Sequence, residues 1–155
     1  MREMCPHFGY SYPEVDERQV RASRRDLRIS FKEAVETCNF IRGMTLDEAR
    51  EVLKSVIELK TPVPFKRFKK KLSHRRGLGG AGRYPVKVAK EILKLLDNAE
   101  ANAEAKGLDL DALVIKHICA QKGIKLKRYI PRAYGRATPR VEQLVHLEVV
   151  LEERT

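Results

Sequence analysis

Between two apolar strand patterns lies a stretch that carries bases and no acid. Residues 122–140 hold seven Lys and Arg (Lys122, Lys125, Lys127, Arg128, Arg132, Arg136 and Arg140) and neither Asp nor Glu. Before it, Leu113 to Ala120 is rich in β-branched and apolar residues. After it, Val145, Leu147, Val149 and Leu151 alternate on one face of a strand, with His146 and Glu148 on the other. This pattern predicts an extended hairpin over 112–152. Its inner half can join a hydrophobic core, but its outer half, the arm 122–140, cannot. Like charges along such an arm repel one another in water, so the arm needs polyanionic surroundings to settle. RNA is the obvious partner.

A second acid-free stretch runs from Leu59 to Lys90 and holds eleven bases, among them Lys66, Arg67, Lys69, Lys70, Lys71, Arg75, Arg76 and Arg83. The two stretches contain 18 of the 32 Lys and Arg in a chain of 155 residues with net charge +11. Two basic elements are therefore mounted on a nearly balanced body. The basic stretches lack the sustained apolar face of a helix lying on a membrane. There is no run of 18 apolar residues to span one and no signal-peptide pattern, so no membrane partner is expected. Cys5, Cys38 and Cys119 are widely spaced, with no CxxC. That argues against a disulfide framework and fits a reducing, cytoplasmic setting.

Residues 1–17 read as an irregular segment with Pro6, Pro13 and the aromatics Phe8, Tyr10 and Tyr12. Val20 to Ile29 reads as a basic edge strand with Arg21, Arg24, Arg25 and Arg28. Ser30-x-x-Glu33 and Thr45-x-x-Glu48 are both capping-box patterns, each placing a helix start. Phe31, Ala34, Val35, Cys38 and Ile41 mark the buried stripe of the first helix, which Gly43 stops. Leu46, Ala49, Val52, Leu53, Val56 and Ile57 mark the second, ended by Pro62 and Pro64. Residues 60–84 read as a basic, glycine-rich loop. Pro85 opens a third helix whose apolar face is Val88, Ala89, Ile92, Leu93, Leu96, Ala99 and Ala103, with Gly107 as its cap. The expected fold class is α+β. It is one compact domain over 18–155, with about three helices packed on a small antiparallel sheet and the basic hairpin protruding.

Gly77-x-Gly79-x-x-Gly82 matches a dinucleotide fingerprint in form, but no buried strand precedes it. These glycines suit a flexible loop or a close approach of backbone to RNA. Cys5-x-His7 and His117-x-Cys119 do not make a four-ligand zinc pattern, and Cys38 lies on an apolar stripe as a small hydrophobe would. A helix-turn-helix reading of the first two helices fails on charge. The second helix carries Asp47, Glu48, Glu51 and Glu58, which phosphates would repel. No Ser, Cys or His sits in a nucleophile context. No metal, cofactor or enzymatic activity is expected.

Three blocks in order resemble the twenty-second protein family of the large ribosomal subunit. They are Asn98-Ala99-Glu100-Ala101-Asn102-Ala103, Gly107-Leu108-Asp109, and Pro131-Arg132-Ala133-Tyr134-Gly135-Arg136-Ala137. The resemblance covers about residues 18–152. The long segment Val63–Arg83, ending Ala81-Gly82-Arg83-Tyr84-Pro85, looks like the archaeal and eukaryotic branch. The resemblance implies a body on the outer face of the large subunit and a hairpin running inward through ribosomal RNA. By motif match, Arg128, Arg132, Ala133, Tyr134, Gly135 and Arg136 would form a tip lining the peptide exit tunnel. There it would meet the nascent peptide and lie near the fourth-family large-subunit protein. The RNA-binding residues expected are the basic residues of both stretches named above, Arg21, Arg24, Arg25 and Arg28 of the edge strand, and Tyr84. Tyr129 and Tyr134 can stack on unpaired bases or pack on a neighbouring Arg or Pro. Two other classes fit the charge. One is a free-standing RNA-binding or RNA-chaperone protein. The other is an RNA-processing enzyme, which would need an acid or His pair within the basic surface, where only His74 is found.

Overall fold

The computed structural model describes residues 9–12 and 16–154. The readings placed on residues 1–8 and 13–15, including Pro6, Phe8, Pro13 and the Cys5-x-His7 pair, lie outside the described residues. In chain order the elements are β1 (Gln19–Leu27), α1 (Phe31–Ile41), α2 (Leu46–Ile57), β2 (Val63–Pro64), β3 (His74–Arg75), β4 (Gly80–Arg83), α3 (Val86–Lys106), β5 (Leu113–Pro131) and β6 (Ala137–Glu153). The main sheet is antiparallel in the order β1-β6-β5, so β1 is an edge strand as its sequence suggests. The strand with the most buried residues, β6, lies in the middle.

The alternation of β6 dictates how the layers stack. Val145, Leu147, Val149 and Leu151 are buried against the helices. In the same core lie Ala34, Cys38 and Ile41 of α1 and Ile92, Leu95, Leu96, Ala99 and Ala103 of α3, with Leu46, Ala49, Leu53 and Val56 of α2 packed mainly on α3. Each fully buried Leu or Ile contributes about 1.5–3 kcal/mol relative to exposure, so this layer holds the body together. Leu95, left out of the apolar face above, is fully buried and follows the same spacing, three residues after Ile92 and four before Ala99; α3 is covered by both the sheet and α2. Burial also pushes the Cys38 thiol up to about 12, consistent with a packing role. No helix among the described residues is long and apolar enough to cross a membrane.

The two capping-box patterns behave differently. Thr45 Oγ1 accepts the Glu48 N–H and Glu48 returns a bond to the Thr45 N–H, closing the box on α2. Ser30 sits at the N-cap of α1 but makes no side-chain cap bond. The Glu33 carboxylate that would complete that box lies 3.2 Å from the Arg83 guanidinium instead. Gly107 caps α3 in the left-handed conformation, as expected.

Residues 60–84 are more ordered than a glycine-rich loop. β2, β4 and β3 form a second small antiparallel sheet in that order, with Val63 opposite Arg83 and His74 opposite Ala81. Val63 and Phe65 are buried and anchor its start. Gly82 is there for packing: a Cβ at this position would collide with the Leu78 side chain and approach the Val63 carbonyl to 3.0 Å.

The second face of the main sheet is covered too. Ser11 donates from its backbone N–H (2.9 Å) and its hydroxyl (2.7 Å) to Glu148 Oε2, and Tyr12 stacks on His117. Residues 9–12 thus bury Glu148, whose position on the outer face of β6 would otherwise leave it in solvent.

Candidate nucleic-acid interface

The hairpin leaves the core at a break in register. Pairing runs without a shift from Ile118↔Val149 to Lys122↔Val145, then resumes at Lys125↔Gln143. Gly123 sits at that break because the His146 ring occupies the space a side chain would need, 2.8 Å from a built Cβ. Gln143 donates from Nε2 to the Gly123 carbonyl at 2.7 Å. Beyond the break the ladder continues unbroken to Pro131↔Ala137. The arm is therefore a two-stranded ribbon whose distal side chains are exposed.

Directly opposite residues of an antiparallel ladder share a face. Arg128 faces Arg140, and Lys125 faces Gln143. Lys127 lies opposite Val141 and Tyr129 opposite Pro139. Basic residues therefore project from both faces of the ribbon, and Tyr129 is 69% exposed beside Pro139. A ribbon this thin has no interior, so it gains little from apolar burial.

The tip is a tight turn. The Arg136 N–H bonds the Ala133 carbonyl (3.4 Å) and the Arg132 N–H bonds the Arg136 carbonyl (2.8 Å). The two central residues, Tyr134 and Gly135, both have positive φ, +58° and +65°. That is the sense of turn matching the twist of a hairpin. Glycine adopts it freely; tyrosine does so at a cost of order 1 kcal/mol. The turn holds the Tyr134 ring outward at 92% exposure, with the Arg136 guanidinium 5.9 Å from its centroid.

The second basic stretch lies beside the base of the arm. Lys122 lies 5.2 Å from the centroid of Phe31, Phe31 packs edge-on against Phe68, and Arg67 lies 5.5 Å from the Phe68 centroid. One cationic and aromatic strip thus joins arm to loop across the start of α1. Lys66, Arg67, Lys69, Lys70, Lys71, Arg75, Arg76 and Arg83 are all exposed. Arg75 also lies over Tyr84 at 5.5 Å and bonds the Gly82 carbonyl.

The arginines of β1 are more committed. Arg24 pairs with Glu91 on α3 at 2.7 Å, and Arg28 lies 3.8 Å from Glu142. Arg21 covers the Tyr10 ring at 4.4 Å. Arg25 also has interactions within the chain. These ion pairs bind parts of the body to one another, so β1 offers less unspent charge than either basic stretch.

His117 and Cys119 lie on β5 under residues 11 and 12. Burial, and then the Arg42 charge, hold the His117 imidazole below its ordinary value, and burial raises the Cys119 thiol. Neither is brought beside two further ligands: among the described residues no group of three or more His, Cys, Asp or Glu converges.

The sequence profile of ribosomal protein L22p/L17e matches residues 22–152, spanning all three helices and the whole hairpin. The chain belongs to this family. Proteins named large ribosomal subunit protein uL22 align with it almost end to end. That of Archaeoglobus fulgidus is 55% identical over 149 residues, covering 94% of this chain and 96% of that protein. That of Methanocaldococcus jannaschii is 55% identical over 152 residues, covering 97% of each. That of Thermofilum pendens is 51% identical over 148 residues, covering 96% of this chain and 98% of that protein. Coverage of this order includes the segment 63–83 and the arm, so both basic elements of this L22p/L17e chain fall inside its likeness to the archaeal relatives.

The sequence missed the acid that organises the start of the basic segment. Glu36 is only 2% exposed and accepts backbone N–H groups from Lys66, Arg67 and Phe68. It falls outside the Ala34, Cys38 and Ile41 stripe of α1, where a buried carboxylate has no local signature.

Proposed function

We propose that the protein is a cytoplasmic structural constituent of the large ribosomal subunit that binds its ribosomal RNA and supports its assembly. Family membership and the names of the archaeal relatives support the subunit. The observation that carries the mechanism is the acid-free ribbon 122–140, projecting from a buried core and joined at its base to the basic segment 66–83. RNA phosphates relieve the repulsion along the ribbon, and release of their counterions drives binding. Arginines bridge phosphates or stack on bases. The body remains folded through its own core and needs no RNA.

The same reading extends to the tip. Arg128, Arg132, Ala133, Tyr134, Gly135 and Arg136 line the peptide exit tunnel, close to the fourth-family protein and within reach of a nascent peptide. The small turn with its exposed ring fits a confined aqueous passage. The role is structural and not enzymatic.

Cell fractionation through a high-salt wash tests the subunit reading. The chain should stay with large subunits. A free-standing RNA chaperone would instead spread over RNA of many kinds and wash off, and that distribution would contradict the proposal.

A further inference from the structure

Glu36 lies on the face of α1 that meets the most basic segment of the chain. Its Oε1 accepts the N–H of Arg67 at 2.8 Å and of Phe68 at 2.7 Å, and its Oε2 accepts that of Lys66 at 3.1 Å. Successive backbone N–H groups converging on one point form a nest that ordinarily captures an anion such as phosphate. Here the chain's own carboxylate fills it. With their amides occupied, Lys66 and Arg67 meet RNA through their side chains.

We infer that Glu36 is a positioning residue for RNA binding, holding the start of segment 66–83 in its binding conformation before RNA arrives. This rests on the RNA-binding reading above. Charge-assisted bonds to a buried carboxylate are roughly twice as strong as neutral ones. Glu36→Gln puts an NH2 donor against the Lys66 N–H and leaves the other oxygen only an uncharged acceptor for Arg67 and Phe68, so the segment returns to more conformations and must be ordered again when RNA binds. Charge alone argues the other way. An acid beneath a phosphate-binding surface repels RNA, so its loss should tighten binding. The sign of the effect therefore separates positioning from electrostatics.

The test uses the full chain, Glu36→Gln and Glu36→Asp. Hydrogen exchange reads the amides of residues 66–68, and titration with large-subunit ribosomal RNA at fixed salt reads affinity. The expected results are slow exchange at those amides in the parent chain, faster exchange in Glu36→Gln, and weaker RNA binding despite one added net positive charge. If the freed segment is in its binding conformation about a tenth of the time, affinity falls about tenfold. Unchanged or tighter binding by Glu36→Gln overturns the inference. Fast exchange at 66–68 in the parent chain does the same. Should Glu36→Gln fail to fold, Glu36→Asp keeps the charge but is too short to reach all three amides, and binding equal to the parent chain would refute positioning. A parent chain with protected amides and no affinity for the RNA would sink the RNA reading and leave Glu36 a staple of the fold only.

Discussion

Arg128 on β5 and Arg140 on β6 stand directly opposite one another in the hairpin ladder. Like charges in that relation destabilise a strand pair, where opposite charges would stabilise it by roughly 0.2–1 kcal/mol. The arm is thus built against its own stability in water and in favour of a polyanion.

Replacing Arg140 by Glu should reverse that balance. In free protein the amides of the arm should exchange more slowly than in the parent chain, whose arm should exchange faster than α1, α2 and α3. RNA affinity should fall, and its dependence on log salt should flatten by about one unit or more. Hydrogen exchange and a salt titration read the two effects. A variant with unchanged salt dependence would place Arg140 away from phosphate.

Replacing Arg75, Arg76 and Arg83 together should flatten the salt dependence by roughly two to three units if each neutralises one phosphate. Arg83 must share its guanidinium with Glu33, so its share should be the smallest of the three. An unchanged slope would put the small sheet β2-β4-β3 outside the RNA interface.

The hairpin, the three helices and the site's charge were legible because each is written locally. Alternation fixes β6, and an acid-free run fixes the arm. The small sheet was not legible, since strands of two to four residues such as Val63–Pro64 and His74–Arg75 carry no period of their own. Glu36, about thirty residues away in sequence, holds residues 66–68 just after β2, and Gly82 of β4 packs against Leu78 and the Val63 carbonyl. The cover over Glu148 escaped for the same reason, because Ser11 and Glu148 are joined only by the fold. The Ser30 pattern misled because Arg83 competes for Glu33.

That difference between caps is measurable. Thr45→Ala should cost about 1 kcal/mol, a fall of about 2–4 °C in Tm for a chain of this size. Ser30→Ala should cost less than about 0.5 kcal/mol, because no cap bond is lost. Equal losses at both sites would show that the Ser30 box forms.

Arg50 ties α2 to α3, donating to Glu100 at 2.8 Å and to Asp97 at 2.9 Å. Its hydrogen bond to Glu100 holds that carboxyl below the ordinary range. A depressed folded value means that the stabilisation is complete above the unfolded pKa and is lost as pH falls through the folded one. Arg50→Met, which keeps the apolar stem, should lower stability by about 0.5–1 kcal/mol near neutral pH. The difference from the parent chain should vanish in acid, below the usual Glu range. Urea titrations at both pH values decide this, and a difference that persists in acid would assign the loss to packing.

We propose a self-folding body with an arm that runs inward through ribosomal RNA to the exit tunnel. The most direct test is a density map of large subunits carrying a deletion of Tyr134-Gly135-Arg136, compared with the parent subunit. The shortened protein should still be incorporated, with its body and arm stem in place, and the tunnel should be wider where the turn was. A hairpin end on the subunit surface, with unchanged tunnel geometry, would contradict the proposal.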